Sequence, residues 1–274
     1  MKISFLGGGN MASALIGGMC ERGFDAVDIT VIEPDAAARE RLQASYGVTV
    51  LAAPGADVFD SDVLVLAVKP QQMKAALAPF AGALRKTLVV SVAAGLRLID
   101  IGCWLGDADA PYSRLVRCMP NTPALVGAGI TGMFAAPGVD AAGREIAGRI
   151  LAAVGNIVWV DDEARLDVVT GISGSGPAYV FHFIEALEAA GFAQGFDVAS
   201  ARRLAIDTVL GAAKLAEASE DSPSTLREKV TSKGGTTAAA LAHLAAAGWH
   251  DALIGAVEAA STRSRELGEQ LGQN

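Results

Sequence analysis

The sequence predicts an α/β domain followed by an all-helical domain. In the first part of the chain, short apolar runs alternate with helical segments, as in a doubly wound sheet covered by helices. Runs such as VLVLAV and LVVSVA are apolar throughout and therefore suit parallel strands that are buried on both faces. Beyond residue 160 only helical segments follow, so the predicted domains are 1–160 and 161–274.

The predicted elements follow from short β-branched runs and from helical spacing of apolar residues. Strands are expected at 3–6, 29–32, 48–51, 63–68 and 88–92, with further candidates at 115–118, 130–134 and 157–160; helices are expected at 11–22, 36–46 and 141–154. The second domain contains predicted helices at 177–190, 198–219, 224–230, 237–247 and 249–267. Pro177 and Pro223 suit helix starts, because the first turn does not need their missing N–H groups.

The composition is that of a folded protein with an unusual core. The chain is 51% hydrophobic and only 19% charged, with a mean hydropathy of +0.37, which excludes intrinsic disorder. Aromatic residues make up 5%, whereas there are 53 alanines and 31 glycines. Such a core requires close approach of backbones, and we expect the alanine-coated helices of the second domain to pack against a partner subunit.

The charge distribution argues against a nucleic-acid partner. The net charge is −8; residues 1–160 carry 13 basic and 14 acidic side chains, whereas residues 161–274 carry 9 and 16. A protein that binds phosphate backbones has the opposite bias.

No membrane segment or secretion signal is expected. The uncharged stretches 3–20 and 118–139 are interrupted by glycines and by prolines, respectively, which does not suit a spanning helix. Cys20, Cys103 and Cys118 form no CxxC pair, which favours a reduced, cytoplasmic protein. No metal site is predicted, since the three histidines lack ligand spacing.

A glycine turn after the first strand predicts a dinucleotide site. Gly7, Gly9 and Ala12 match G-x-G-x-x-[G/A] between a strand and a helix, which is the context that gives this motif its meaning. The first glycine permits the tight turn, and the second lets the backbone approach a pyrophosphate at the helix N-terminus. Asn10 and Met11 complete the predicted contact, so the first domain is expected to be of the Rossmann type.

Glu33 follows the second strand, about twenty residues after the turn. An acid at this position accepts a hydrogen bond from a ribose 2′-OH and repels a 2′-phosphate, which favours NADH slightly over NADPH. Arg39 or Arg41 would reach a 2′-phosphate only if the start of the next helix lies close. Both cofactors therefore remain open at the sequence level.

Three further segments are candidate cofactor contacts because they follow predicted strands. They are Ala67-Val68-Lys69-Pro70, Ala93-Ala94-Gly95 and the rigid loop containing Pro120 and Asn121. In doubly wound sheets, ligands bind at the carboxyl ends of the strands. The small residues 93–95 would allow a nicotinamide ring to approach the backbone, and Pro120 and Asn121 could border that ring and bind its amide.

Two segments rich in glycine and hydroxyl residues are each expected to lead into a helix. They are residues 171–179, GISGSGPAY, and residues 231–237, TSKGGTT. Free N–H groups at a helix start attract anions, so both are candidate anion sites. The alternative for Ser232 and Thr237 is simple helix capping.

Several of these segments together carry a family resemblance. GGGNM, AVKP, SVAAG, RCMPNTPALVGAG, GISGSGPAYVF and LREKVTSKGGTTAAAL, in this order and spacing, resemble the 1-pyrroline-5-carboxylate reductase family over nearly the whole chain. Lys233 departs from the proline of many relatives, and Ala245 from a polar residue. The resemblance implies reduction of a cyclic imine by NADPH or NADH as the last step of L-proline synthesis, and a helical C-terminal domain that forms a homodimer, in some members a decamer.

The resemblance also implies a substrate site at residues 231–237. The substrate carboxylate would bind the N–H groups of Gly234, Gly235 and Thr236, with Ser232 adding a hydroxyl. Thr237 matches the family threonine near the ring nitrogen, where it would orient the imine or relay a proton. Water or the protonated iminium would supply that proton, because a threonine hydroxyl is a weak acid.

Two other functions remain open from the residues alone. A β-hydroxyacid dehydrogenase would use a lysine on a C-terminal helix as its acid or base, and Lys214 offers one loosely. A non-enzymatic dinucleotide sensor would bind the cofactor without turning over an imine.

Overall fold

A computed structural model describes residues 1–272 and contains one eight-stranded sheet with twelve α-helices in that range. The strands are β1 Ile3–Leu6, β2 Ile29–Ile32, β3 Thr49–Leu51, β4 Val63–Leu66, β5 Leu88–Ser91, β6 Leu115–Met119, β7 Gly129–Ala135 and β8 Gly155–Trp159. The sheet order is β3-β2-β1-β4-β5-β6-β7-β8, so the predicted α/β architecture is confirmed.

Eight of the twelve helices in the described range lie where the sequence predicts them, within a few residues, whereas those at Ala56–Phe59, Met73–Leu77, Leu98–Leu105 and Arg165–Val169 were not predicted. The twelve helices are α1 Asn10–Glu21, α2 Ala36–Tyr46, α3 Ala56–Phe59, α4 Met73–Leu77, α5 Leu98–Leu105, α6 Ala141–Leu151, α7 Arg165–Val169, α8 Gly176–Ala193, α9 Val198–Glu217, α10 Pro223–Lys229, α11 Thr236–Ala246 and α12 Trp249–Gly272. Side chains of Asp35, Asp140, Asp197 and Ser222 cap four of them by accepting an N–H bond from the first turn. Within residues 1–272, no helix is both long and apolar enough to cross a membrane.

The sheet is buried on both faces by two apolar clusters. Side chains of β4 alternate between them: Val63 and Val65 belong to one cluster, and Leu64 and Leu66 to the other. The first cluster contains residues of α1 and α6, and the second contains residues of α4 and α5. Every strand from β1 to β6 runs in the same direction, so the carboxyl ends of these strands share one edge.

The strand β7 departs from this parallel arrangement, because it pairs antiparallel with β6. The intervening residues 120–128 contain only a short 3₁₀ turn at Thr122–Val126, and a connection of this length cannot return the chain to the start of a parallel strand.

Within the segment 171–179, predicted as a loop that leads into a helix, residues 171–174 are helical instead. A π-helical turn at Thr170–Gly174 continues α7 directly towards α8, and the Ser175 N–H donates to the Thr170 carbonyl at 2.8 Å. The expected loop is therefore wrong for residues 171–174, whereas the anion site at this segment stays a prediction.

Packing divides the chain into two compact units. The first contains Met1–Ser175 and the C-terminal residues from Ala259, and the second contains Gly176–Glu258. Residues just beyond the predicted border at 160 belong to the first unit, where α7 packs against β6 and β7. The functional border between domains 1–160 and 161–274 stays a prediction, whereas the packing border lies at Ser175.

Candidate cofactor and substrate sites

The glycine turn connects β1 directly to α1. Gly7 has φ +100°, and its N–H donates to the Ile32 carbonyl at 2.9 Å. A Cβ at position 7 would lie 2.8 Å from the Ala67 carbonyl oxygen, so only glycine fits this turn. The turn is thereby fixed against the segment that follows β4.

In contrast to Gly7, Gly9 has open space around it. It is the N-cap residue of α1, and a Cβ placed on it would meet no atom within 4 Å. The open space above Gly9 leaves room for a pyrophosphate. The first turn of this twelve-residue helix has no side-chain cap, so its N–H groups can donate to that pyrophosphate. Asn10 is exposed and Met11 is half-buried in the first helical turn.

The other predicted cofactor segments follow the carboxyl ends of neighbouring strands. The Ala67 N–H donates to the Leu6 carbonyl, and the Val92 N–H donates to the Leu66 carbonyl, so β1, β4 and β5 end side by side. The direction of the chain order reverses between β1 and β4, which is the switch point at which doubly wound sheets bind ligands. Lys69 is exposed, whereas Ala67, Val68 and Pro70 are half-buried.

The segment after β5 is covered by the last helix. Ala93 is buried, Ala94 is exposed, and Gly95 is buried with φ +77°. A Cβ at position 95 would lie 3.4 Å from Leu271 Cδ1 and 3.8 Å from the Gly268 nitrogen, both on α12. The sequence pattern missed this contact, because nothing local links residue 95 with residue 268.

Asn121 is nearly buried, and both ends of its side-chain amide have protein partners. Its Nδ2 donates to the Ser173 carbonyl at 3.1 Å, and its Oδ1 accepts from the Ile130 N–H at 2.9 Å. The side chain therefore fixes the loop after β6 to the π-helical turn. A contact of Pro120 and Asn121 with the nicotinamide stays a prediction.

The buried environment of β6 also affects Cys118, which lies within this strand. Burial raises the pKa of its thiol far above the usual range, so this cysteine stays protonated. Cys20, Cys103 and Cys118 are all free thiols.

The predicted substrate residues lie in the second unit, in the connection between α10 and α11. Gly234 has φ +72°, and the Gly235 N–H donates to the Ser232 carbonyl at 3.0 Å. A Cβ at position 235 would lie 2.5 Å from Ser232 Oγ, so a larger residue there would force the Ser232 hydroxyl to move. The structure thus confirms a tight turn at the start of a helix, as the sequence indicates.

The start of α11 is not capped by a side chain. Gly235 is the N-cap residue of α11. Among the described residues, no side chain accepts a hydrogen bond from the N–H groups of the first turn of this helix. Capping by Ser232 or Thr237, the structural alternative, is therefore not observed. Thr237 is half-buried, while Ser232 and Thr236 are exposed. The Gly235 N–H already donates to the Ser232 carbonyl, so the groups of this turn left for a ligand are the N–H groups of Gly234 and Thr236 and the Thr237 hydroxyl.

Two family models match separate parts of the chain. Residues 163–267 match the model described as pyrroline-5-carboxylate reductase dimerisation, and residues 2–95 match the model described as NADP oxidoreductase, coenzyme F420-dependent.

Full-length relatives decide the family. A pyrroline-5-carboxylate reductase from Pseudomonas aeruginosa is 45% identical over 273 residues, which is 99% of this chain and 98% of the relative. The chain belongs to the pyrroline-5-carboxylate reductase family. The structure of a pyrroline-5-carboxylate reductase from Coxiella burnetii has a TM-score of 0.92 at 39% identity, covering 97% of this chain and 98% of the other. A Plasmodium falciparum pyrroline carboxylate reductase with NADP bound has a TM-score of 0.83 at 27% identity, covering 98% of both chains.

The rival functions find no comparable support. Lys214, the residue suggested for a β-hydroxyacid dehydrogenase, is exposed near the end of α9.

No group of three or more residues that could hold a metal ion occurs among the described residues.

Proposed function

We propose that this protein reduces 1-pyrroline-5-carboxylate to L-proline with NADPH or NADH, as the last step of proline biosynthesis. The observation that carries the proposal is the near full-length identity of 45% to a pyrroline-5-carboxylate reductase, in a chain that also has an open glycine turn at the switch point of its sheet. The three free thiols support a cytoplasmic location.

The residues of the first unit fit a dinucleotide. The space above Gly9 and the uncapped start of α1 would hold the pyrophosphate, and Glu33 lies at the end of β2, where the adenosine ribose of a dinucleotide belongs. Residues 67–70, 93–95 and 120–121 would line the rest of the cofactor. When bound, the dinucleotide supplies the hydride for the imine carbon.

The second unit supplies the groups that bind and orient the substrate. The N–H groups of Gly234 and Thr236 would bind the carboxylate, and the Ser232 hydroxyl would add a donor. Gly235, whose N–H donates to the Ser232 carbonyl, would shape the turn that presents them. The Thr237 hydroxyl would orient the ring nitrogen or relay a proton to it, while water or the iminium itself provides the proton. Fixing the imine in one orientation is the main contribution of these residues to the rate.

We further propose a homodimer as the basic assembly, with the decamer as a larger assembly of such dimers. In the helical unit, large apolar side chains are exposed on several helices. They include Phe181, Phe183, Phe192, Leu204, Leu210 and Leu253. An exposed apolar surface of this kind indicates a protein interface. Light scattering should give at least twice the monomer mass, and a stable monomer would contradict this proposal.

Steady-state reduction of 1-pyrroline-5-carboxylate, measured in parallel with NADH and NADPH, tests the reaction. We expect turnover of the pyrroline with at least one cofactor and none with a β-hydroxy acid under the same conditions. Oxidation of hydroxy acids in place of pyrroline reduction would favour the dehydrogenase. Cofactor binding without any turnover would favour the sensor.

A further inference from the structure

The connection between β5 and α5, residues 92–97, is exposed at only one of residues 93–95. Ala94 is exposed, whereas Ala93 and Gly95 on either side of it are buried. Gly95 also lies in the left-handed region of the backbone, with φ +77°. The place of the exposed main chain at Ala94 therefore depends on what Gly95 packs against.

Gly268 of α12 packs directly against the main chain of Gly95. A Cβ on Gly268 would lie 2.9 Å from the Gly95 carbonyl oxygen and 3.9 Å from its carbonyl carbon. A Cβ on Gly95 would in turn lie 3.8 Å from the Gly268 nitrogen. Because a main-chain carbonyl cannot swing aside as the end of a long side chain can, any larger residue at position 268 must displace either α12 or the connection.

Two contacts hold α12 in place around Gly268. One turn earlier, the buried Ser264 donates its hydroxyl to Asp167 Oδ1 at 2.7 Å. Three residues later, Leu271 packs against the apolar cluster that contains residues of α4 and α5. Residues at these spacings lie on one face of a helix, so the face that carries Gly268 is attached on both sides of it. A side chain at position 268 would therefore move the Gly95 carbonyl more readily than the helix.

Both ends of the connection are attached as well, so a displacement is confined to its middle. At the start, the Val92 N–H donates to the Leu66 carbonyl at 3.1 Å. At the end, the N–H of Leu98, the first residue of α5, donates to Glu163 Oε1 at 2.8 Å. Ala94 lies between these two hydrogen bonds, so a displacement caused by α12 reaches the exposed main chain.

We propose that Gly268 is a positioning residue for hydride transfer: because it has no side chain, the Gly95 carbonyl can lie where the main chain at Ala94 supports the nicotinamide ring. The inference rests on the proposed function, which assigns residues 93–95 to that ring. Gly268 acts through Gly95 and is assigned no contact with cofactor or substrate. A misplacement of the reacting groups by about 1 Å can lower a rate about 10²-fold, so a smaller displacement of the connection should cost roughly tenfold.

The first turnover of the full-length protein tests this role. Enzyme with one equivalent of its reduced cofactor is mixed with excess 1-pyrroline-5-carboxylate, and the first phase of the decrease in nicotinamide absorbance gives a rate constant and an amplitude. We expect Gly268→Ala to lower the rate constant about tenfold and to leave the amplitude, which counts the competent sites, unchanged. Alanine is a better helix former than glycine, so a weaker helix cannot account for the loss.

Binding of a cofactor fragment shows whether the rest of the dinucleotide site is intact. ADP-ribose, or its 2′-phosphate if the enzyme uses NADPH, lacks the nicotinamide and is titrated against both proteins. Its dissociation constant should be the same for Gly268→Ala and wild type, because the turn at Gly7 and Gly9 is untouched. A residue that merely stabilises the fold would instead lower the amplitude and the number of fragment sites and leave the rate constant unchanged.

Three further variants assign the effect to bulk at position 268. Glu269→Gln, the matched control, removes an exposed ion pair with Arg97 at the next residue of α12 and adds no bulk, so it should keep the wild-type rate constant. Ser264→Ala releases α12 from Asp167 and should change the rate constant little. In the double variant of Gly268→Ala and Ser264→Ala, the helix can move away, so hydride transfer should be faster than in Gly268→Ala yet several-fold slower than in Ser264→Ala. The comparison with Ser264→Ala decides the question even if Gly268→Ala alone does not fold.

The outcomes separate this role from the proposed function. An unchanged rate constant in Gly268→Ala, an equal loss in Glu269→Gln, or a double variant as fast as Ser264→Ala would overturn the positioning role and leave the reductase function intact. Failure of the wild-type protein to reduce the pyrroline would contradict the proposed function itself.

Discussion

Nη1 of Arg117 lies 3.1 Å from Oε1 of Glu163, and the Arg117 side chain is only 5% exposed. The same carboxylate oxygen accepts a hydrogen bond from the Leu98 N–H at 2.8 Å, and Nη2 of Arg117 lies 3.8 Å from Asp167. Asp167 in turn accepts from the Ser264 hydroxyl at 2.7 Å. One buried guanidinium therefore connects β6, the start of α5, α7 and the last helix.

Replacement of Arg117 by leucine should strongly destabilise the protein. The change leaves two partly buried carboxylates without a counter-ion, and loss of one partner of a buried pair typically costs about 3–5 kcal/mol. Denaturant unfolding measures the free energy. The control is Arg97→Gln, which removes an exposed pair with Glu269 and should cost less than about 1 kcal/mol. Equal losses in the two variants would contradict the buried network.

Alanine at Gly7 and alanine at Gly9 should have opposite consequences. Gly7→Ala places a Cβ against Ala67 at a positive φ, and we expect it to lower the free energy of unfolding by at least about 1–3 kcal/mol. Gly9→Ala meets open space, so it should cost only the poorer helix cap, less than about 1 kcal/mol.

Dinucleotide titration gives the second half of this comparison. Gly9→Ala should weaken binding, and Gly9→Val should weaken it more, because each side chain grows into the space assigned to the pyrophosphate. Unchanged dinucleotide affinity in Gly9→Val would show that the N-terminal site is wrongly placed.

Removal of the Thr237 hydroxyl should reduce turnover and leave cofactor binding intact. We expect Thr237→Val, which preserves the shape, to lower kcat about 10²-fold, the contribution typical of one positioned proton-transfer group. Thr237→Ser keeps a hydroxyl and should retain much of the activity. Wild-type turnover of the valine variant would remove Thr237 from the mechanism.

Asp100, in the first turn of α5, should make stability depend on pH. Burial is the main reason why the pKa of this carboxyl is raised above its usual range, and the charge of Glu163 adds to it, while Arg97 opposes it. Because the pKa of Asp100 is higher in the folded than in the unfolded state, protonated Asp100 favours folding. This contribution to the free energy of unfolding is lost as the pH rises through the folded-state pKa. Asp100→Asn should therefore raise the free energy of unfolding at pH 7, by less than about 1 kcal/mol because the group is not deeply buried.

Measurement across pH distinguishes this effect from a general loss of charge. The gain of Asp100→Asn over wild type should shrink as the pH falls towards about 4, where the unfolded carboxyl also becomes protonated. Asp57→Asn changes an exposed first-turn acid on α3 and should show no gain at pH 7. A gain that grows on acidification would contradict the raised pKa of Asp100.

Local patterns predicted all eight strands of the described range, most of the longer helices and the two glycine turns. Apolar runs located the strands, and the spacing of Gly7, Gly9 and Ala12 located the turn at the switch point, because these features depend on neighbouring residues. The sequence did not predict the antiparallel β7, which follows from the length of a connection, or the helical conformation of 170–174, where glycine and serine suggested a loop.

Contacts between distant segments account for the rest. The packing of Glu33 on Gly8 and that of Gly268 on Gly95 each join positions whose relation appears only after folding. For Asn121, the sequence indicated a polar contact of the side-chain amide. The partners that this amide has in the structure, the Ser173 carbonyl and the Ile130 N–H, come from other segments of the chain.

The last helix has a consequence for protein engineering. Residues of α12 from Ala259 onwards belong to the same compact unit as the sheet and the Gly7-Gly8-Gly9 turn. Along the chain, the second unit, Gly176–Glu258, lies between these two parts. The nucleotide-binding module is thus encoded in two pieces. A chimera that exchanges this module between two reductases must carry both pieces; exchange of an N-terminal fragment alone would leave Gly95 facing a foreign helix at a contact where the backbones nearly touch.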